Sequence, residues 1–212
     1  MSKRVIAVKG VPYDLYKQIK EKAIEMGIPV GKAVSDALKL WLGIVANKQY
    51  EDEKKEVLKI LERIMSSQWR QSKSKVFFKL YRKLLNENRR CFIATDVFTL
   101  CFLKRNYNTA VLLRDFISSK NDFIVSVYSL VKLIEELGQD MARKVILSLP
   151  SDKIASLDWK VLIKSLEYLS REELSLEHAI IVAQMEFYNI NTIISSDKRY
   201  DEYGIIRVDP LI

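Results

Sequence analysis

Residues 178–197 read HAIIVAQMEFYNINTIISSD, and this stretch indicates the fold class of the second half of the chain. It begins with an apolar helical pattern and continues into the β-branched run NTIIS, which is typical of a buried strand. The run ends in two serines and an aspartate, Asp197. A helix followed by a buried strand is the repeating unit of parallel sheets, so the stretch predicts an α/β domain.

Three further apolar runs follow residue 90. They read CFIATDVF at 91–98, DFIVSVYSL at 122–130 and GIIRVDP at 204–210, with helical patterns between them. Strands that alternate with helices predict a three-layer α/β/α domain with a mostly parallel sheet over residues 91–212. Ligands of such sheets collect at the carboxyl ends of the strands, where Asp96 and Asp197 are both predicted to lie.

The closing stretch, SSDKRYDEYGIIRVDP at 195–210, resembles the end of the PIN domain, the fold of metal-dependent ribonucleases such as the toxins of toxin–antitoxin pairs. The resemblance covers about residues 91–212. It implies four carboxylates around one or two Mg²⁺ or Mn²⁺ ions. Such ions need hard oxygen ligands, and they activate water and stabilise the charge that develops on the scissile phosphate.

Carried over one position at a time, the resemblance finds only one of the four carboxylates in place. The aspartate that closes the opening strand corresponds to Ala94, the second acid to Lys132 and the third to His178, while the fourth is Asp197. Alanine offers no ligand, and a lysine ammonium repels a divalent cation. We therefore expect no metal ion, a catalytically degenerate PIN-like domain, and an ion pair between Lys132 and Asp197.

The alternative is a rearranged carboxylate cluster. Asp96 lies two residues from Ala94, Glu177 is next to His178, and Glu135 and Glu136 lie one turn beyond Lys132. A cluster with Asp96 and Asp197 as metal ligands would make the protein a Mg²⁺- or Mn²⁺-dependent endoribonuclease. Against it, a step of one residue on a helix turns a side chain by about 100°, and metal geometry tolerates little displacement. Its candidate catalytic residues are Asp96, Glu136, Glu177 and Asp197.

The composition excludes several other classes. One histidine cannot form a multi-histidine zinc site, and two cysteines cannot form a disulfide framework. The longest run without a charged residue has ten residues, 187–196, short of the roughly 18 needed to span a bilayer, and the N-terminus lacks a signal-peptide core. The sequence therefore predicts a cytoplasmic protein that has no membrane partner.

The charge is unevenly distributed along the chain. Residues 1–90 hold 21 Lys+Arg and 10 Asp+Glu, a balance of +11, while residues 91–212 hold 14 and 17, a balance of −3, consistent with the net charge of +8. A basic front half attached to a mildly acidic back half favours a polyanionic partner for the front half.

The first 46 residues predict one strand and two helices. Residues 2–9 alternate weakly and favour a strand, Gly10 and Pro12 break it, and an amphipathic helix runs to about Met26 before Gly27. A second helix follows to about residue 46. These elements are too few to bury a core alone, so the domain needs a partner.

This domain resembles the ribbon-helix-helix family, which includes many prokaryotic antitoxin-type repressors, through VKGVPYDLYKQIKEKAIEMGIPVGKAVSDALKLWL. The resemblance implies that two chains pair their strands into a ribbon that enters the DNA major groove, while the second helix points its N-terminus at a phosphate. Val5 and Ala7 offer bases only apolar contacts, so we expect docking without sharp sequence reading. The expected DNA-binding residues are Lys3, Arg4, Val5, Ala7, Lys9, Gly31 and Lys32.

Residues 47–90 predict a basic helical connector of one or two helices. Between Arg63 and Arg90 there are nine basic residues and one acidic residue, with Trp69, Phe78 and Tyr81 interleaved. Such a helix is suited to follow phosphates, and its aromatic side chains are equally suited to a place in the core. Both interpretations remain open on the sequence.

These features together resemble an antitoxin fused to its former toxin, as in prokaryotic pairs of that kind, archaeal ones included. The sequence predicts a homodimeric DNA-binding protein, a transcriptional regulator or nucleoid-associated factor, whose PIN-like domain serves oligomerisation or partner docking. Its expected partners are duplex DNA and further copies of itself, with RNA as the substrate only of the endoribonuclease alternative. A pure protein–protein scaffold is a third possibility.

Overall fold

The computed structural model describes residues 11–67, 74–87, 89–118, 121–170 and 174–212, without the side chain of Ala46. The chain divides into two compact units, residues 1–49 and 50–212. The predicted strand at 2–9 lies outside the described residues, and so do five predicted DNA-binding residues: Lys3, Arg4, Val5, Ala7 and Lys9.

The first unit contains helix α1, Tyr13–Glu25, and the beginning of helix α2, Val30–Ser67. The predicted turn at Gly27 is confirmed: its φ is +67°, and the N–H groups of Gly27 and Ile28 donate to the carbonyls of Ile24 and Ala23, each at 3.0 Å. This pair of bonds closes α1 as a Schellman motif, which needs a left-handed residue.

Helix α2 continues past the boundary that the sequence predicts at residue 46. Residues 47–67 contain neither glycine nor proline, so nothing in this stretch ends the helix, which is 38 residues long. None of the helices in the described ranges combines the length and apolarity needed to cross a bilayer.

The second unit is a mixed α/β fold. Its parallel sheet has the strand order β3-β2-β1-β4-β5. The strands are β1 Cys91–Ile93, β2 Phe123–Ser126, β3 Ile154–Ala155, β4 Thr192–Ile194 and β5 Ile206–Val208. The helices that belong to this unit after α2 are α3 Lys75–Asn86, α4 Thr95–Phe102, α5 Tyr107–Ile117, α6 Val127–Leu137, α7 Gln139–Ser148, α8 Trp159–Leu169 and α9 Leu176–Phe187.

Two of the predicted strands are shorter than the sequence pattern indicates. Helix α4 begins at Thr95, directly after β1, and α6 begins at Val127, directly after β2. The Ser126 hydroxyl accepts the N–H of Tyr128 at 3.1 Å and so starts α6 inside the apolar run. The residues that follow each of these two strands in the apolar run therefore belong to the first turn of a helix.

The sheet lies between two hydrophobic cores. Neighbouring residues of β1 face opposite sides: Ile93 joins a core with α2–α7, and Phe92 joins a core with α9. The predicted connector contributes to the first of these cores. Its buried members are Val57, Leu61, Ile64, Phe77, Tyr81 and Leu84. Phe78 packs against the same core half-buried, so for Phe78 and Tyr81 the core interpretation is confirmed.

Candidate functional site

A pocket of about 230 Å³ lies where the carboxyl ends of β1 and β4 meet the first turn of α9. The predicted position of Asp96 and Asp197 at this edge of the sheet is confirmed, since both side chains line the pocket. Its lining residues are Ala94, Thr95, Asp96, Thr99, Glu136, Glu177, His178, Ser195, Asp197, Arg199 and Tyr200. All four carboxylates of the rearranged cluster are among them.

Asp197 is engaged by two partners. Its Oδ2 lies 2.9 Å from His178 Nε2 and 2.5 Å from Arg199 Nη2, and Arg199 Nε donates to both carboxylate oxygens at 3.0 and 3.1 Å. The Arg199 guanidinium holds the pKa of Asp197 well below its usual range, and the backbone N–H of Arg199 and the imidazole of His178 act in the same direction. Asp197 is therefore an ionised carboxylate with a cation already beside it.

His178 is fixed from three sides. It is only 6% exposed, and its Nδ1 lies 2.6 Å from the hydroxyl of Ser175, the N-cap residue of α9. Its ring contacts the buried Tyr200 ring at a centroid distance of 4.9 Å. The cap residue, the 3₁₀ turn Lys198–Tyr203 and Asp197 thus hold the imidazole in one orientation.

Asp96 turns its carboxylate toward the loop after β4. Its Oδ1 accepts the hydroxyl of Ser195 at 3.1 Å, and its Oδ2 accepts both the N–H and the hydroxyl of Ser196 at 2.6 Å. Burial raises the pKa of Asp96 against the opposing effect of these donors. Asp96 therefore fastens the first turn of α4 to the β4 loop.

The remaining acids at the pocket also have partners. Glu177 accepts a hydrogen bond from the Thr95 hydroxyl, and Glu136 accepts one from the Thr99 hydroxyl. Both donors are on α4, which closes this side of the pocket.

The predicted ion pair between Lys132 and Asp197 is wrong. Lys132 Nζ lies 2.8 Å from Glu135 Oε2, one turn along α6, and this contact raises the pKa of Lys132. A partner three residues away on the same helix is within easy reach of a lysine. The cation that neutralises Asp197 is Arg199.

The residues at this pocket do not fit a divalent metal ion. In the described ranges, no three His, Cys, Asp or Glu residues come together as a possible ligand set. Ala94 supplies no ligand at the end of β1, the Asp197 oxygens face Arg199, and the Asp96 oxygens face serine donors. The chemistry that the arrangement does support is a network of charge-assisted hydrogen bonds that ties α4, the loop after β4 and α9 together.

Sequence reasoning singled out Asp96, His178 and Asp197 but missed Arg199 and the serines around them. A signal was present in the stretch Ser195–Ser196–Asp197–Lys198–Arg199, where hydroxyl donors precede a carboxylate and a guanidinium follows it by two residues.

The second candidate site is the start of α2 in the first unit. Gly31 and Lys32 are exposed in its first turn, which contains no acidic residue. Among the described residues, no atom lies within 4 Å of a Cβ placed on Gly31, so the backbone here is open to close approach. The N–H groups of Lys32 and Ala33 already donate to the carbonyl of Pro29, at 2.9 and 3.1 Å, so the groups that can favour an anion here are the Gly31 N–H and the Lys32 ammonium.

In comparisons with known proteins, no family of related sequences and no curated protein matches this chain.

Replacement of Asp197 by asparagine is expected to lower the free energy of unfolding by about 2 kcal/mol at pH 7, because hydrogen bonds to a charged group are lost. The folded pKa of Asp197 is depressed, so its contribution is present above the unfolded pKa of about 3.9 and is lost as the pH falls below it. Urea unfolding at pH 7 and at pH 3 measures the free energy of unfolding of wild type and variant. The difference between the two proteins should be smaller at pH 3 than at pH 7.

The control for this measurement is Asp52→Asn, which changes an exposed aspartate of α2 with no cation within 4 Å in the described part of the chain. The role given to the Asp197 charge would be contradicted if the free energies of unfolding of Asp197→Asn and wild type differed by the same amount at both pH values.

Proposed function

We propose that the chain is a homodimeric DNA-binding protein, a transcriptional regulator or nucleoid-associated factor of the cytoplasm, that contacts duplex DNA through an N-terminal ribbon-helix-helix domain. Its α/β domain is a PIN-like fold without nuclease activity that serves oligomerisation or partner docking. The proposal joins the sequence resemblances to two features of the described residues.

The observation that carries the proposal is the uncovered apolar surface of the first unit. Among the described residues 11–49, Ala23 is the only buried hydrophobic residue, while Leu15, Leu38 and Trp41 are 50%, 55% and 58% exposed. A groove of about 600 Å³ is lined by Val11, Tyr13, Leu15, Tyr16, Ile19, Val34, Ala37 and Leu38. A unit this small and this apolar needs a partner to bury its surface, and a second copy is the partner that the ribbon-helix-helix resemblance implies.

The start of α2 supports the DNA part of the proposal. An exposed glycine and lysine at an acid-free helix N-terminus suit a backbone phosphate, because the helix dipole, the Gly31 N–H and the Lys32 ammonium all favour an anion there. Contacts of this kind position a protein on the duplex and carry no sequence information.

A salt series tests the function. We expect the logarithm of the affinity for duplex to fall linearly with the logarithm of the salt concentration. The slope of this line should be steeper by about 0.9 for each phosphate contacted. The Lys32→Gln variant removes one phosphate contact from each of two subunits, so its slope should be shallower by about 2. Fluorescence anisotropy with a labelled duplex measures both slopes.

The matched control for Lys32→Gln is Lys160→Gln, an exposed lysine on α8. Absence of duplex binding at low salt would contradict the proposed function, and equal slopes for Lys32→Gln and wild type would contradict the assignment of the phosphate contact to α2.

The second candidate function is the metal-dependent endoribonuclease, and one observation favours it: Asp96, Glu136, Glu177 and Asp197 all line one pocket. The ion pair of Asp197 with Arg199 weighs against it, because a divalent ion would have to displace the guanidinium. Incubation with labelled RNA and Mn²⁺, with Asp197→Asn beside the wild type, separates the two. Mn²⁺-dependent cleavage that the variant loses would favour the ribonuclease.

A further inference from the structure

The outer face of α3 carries a row of exposed cations. Residues on the inner face, Phe77, Tyr81 and Leu84, are buried in the core of the second unit. The cations follow one another at helical spacing on the opposite face, and they line a groove of about 680 Å³. They are Lys75, Lys79, Arg82 and Lys83.

Most of this row has no carboxylate partner. Several exposed lysines on other helices lie beside an acid of their own helix, as in Lys22–Glu25 at 2.7 Å, while others, such as Lys160, stand alone among the described residues. Within the described ranges, no carboxylate lies within 4 Å of Lys75, Lys79 or Arg82, and only Lys83 has one, at 3.8 Å. Like charges one turn apart destabilise a helix, so α3 carries a repulsion that an external anion would relieve.

The row is held on a rigid support. The N-cap hydroxyl of Ser74 accepts the N–H of Phe77 at 3.0 Å, and the same N–H lies 3.1 Å from the carbonyl of Ile212. Inside the unit, the Tyr81 hydroxyl donates to Asp115 at 3.0 Å. These contacts fix both the start and the middle of α3, so the cations are presented at a constant spacing.

We propose that the α3 row binds the phosphodiester backbone of duplex DNA. From Lys75 to Lys83 the row extends about 12 Å, which matches about three to four phosphates at a rise of about 3.4 Å per phosphate along one strand. A single strand would need aromatic faces on which to stack its bases. The groove's aromatic ring, Phe78, already packs edge-on against Phe77 and Tyr107.

This inference rests on the proposed function and adds to it a second phosphate-binding surface, on the unit that does not contain the ribbon-helix-helix domain. The test uses the full chain with two variants that carry equal changes in charge. Lys75→Gln/Lys79→Gln removes two cations from the row. Lys160→Gln/Lys198→Gln removes two exposed lysines elsewhere in the described part of the unit, neither of which has a carboxylate within 4 Å.

We expect the row variant to reduce the salt slope of duplex binding by about 2 to 4 per dimer and the control variant to leave it unchanged. Thermal unfolding checks that both variants fold. We expect both to fold, because neither change touches the buried face of α3. A row variant with the slope of the control overturns the inference. So does a change of slope confined to a single-stranded RNA of equal length.

The two proposals fail in different ways. If the wild type binds duplex with a slope that Lys32→Gln reduces and the row variant does not, the inference alone is overturned. If the wild type does not bind duplex at low salt, the proposed function is overturned and the inference with it.

Discussion

Glutamate in place of Leu38 is expected to dissociate the proposed dimer and to remove most of its affinity for duplex DNA. Leu38 is 55% exposed in the single chain and lines the apolar groove of the first unit. If a second copy covers this groove, the substitution buries an unpaired carboxylate in each subunit, which costs several kcal/mol. We expect dimerisation to weaken at least about 100-fold, or about 2.8 kcal/mol.

Sedimentation equilibrium over a range of protein concentrations measures the dimer, and anisotropy with a labelled duplex measures DNA binding. Leu103→Glu is the matched control, because Leu103 is 53% exposed and lies outside the first unit. On an uncovered surface such a change alters stability by no more than about 0.5 kcal/mol. If Leu38→Glu dimerises as tightly as Leu103→Glu, the groove is not the dimer interface.

The sheet was largely predictable, because buried parallel strands appear in a sequence as continuous apolar runs. Four of the five strands fall within runs that the sequence indicates. The fifth, β3, has only two residues, Ile154–Ala155, and no periodic pattern can be recognised over that length. It pairs with β2 because of where α7 and the turn after it bring the chain, which is a tertiary effect.

The ends of the elements were less predictable than their existence. The apolar run at 122–130 contains both β2 and the beginning of α6, and the cap at Ser126 separates them. A buried strand and the buried face of a helix are equally apolar, so hydrophobicity alone does not mark the junction.

In the candidate site, the positions of the acids could be predicted but their partners could not. Asp96 and Asp197 follow strands, and the carboxyl ends of parallel strands meet at one edge. The partner of Asp197 depends on the 3₁₀ turn that folds Arg199 back on it, and that of Lys132 depends on a nearer glutamate. Both outcomes are decided by distances of a few ångströms, which residue spacing along the chain does not provide.

Two carboxyl groups of this pocket have pKa values shifted in opposite directions. Burial raises the pKa of Asp96, and the guanidinium of Arg199 lowers that of Asp197. The pocket satisfies each group separately, with hydroxyl and N–H donors for the buried carboxyl and a cation for the more accessible one.

Methionine in place of Arg207 is expected to destabilise the protein by about 3 to 5 kcal/mol. The guanidinium is only 12% exposed, and it donates to Asp209 at 2.9 Å, to Asp201 at 2.7 and 3.1 Å, and to the carbonyl of Ser195 at 3.3 Å. Asp209 is buried as well, at 8% exposed, so the loss of Arg207 leaves a charge without its partner. Urea unfolding at pH 7 measures the difference.

Arg199→Met is the matched control, since Arg199 also bridges an aspartate but is 52% exposed. A pair in contact with water contributes at most about 1 kcal/mol, so this variant should lose far less stability than Arg207→Met. Addition of Asp209→Asn to Arg207→Met should recover part of the loss, because the amide removes the charge and keeps an oxygen that accepts the N–H of Leu211. If Arg207→Met and Arg199→Met lower the free energy of unfolding by the same amount, then burial does not set the strength of the Arg207 contacts.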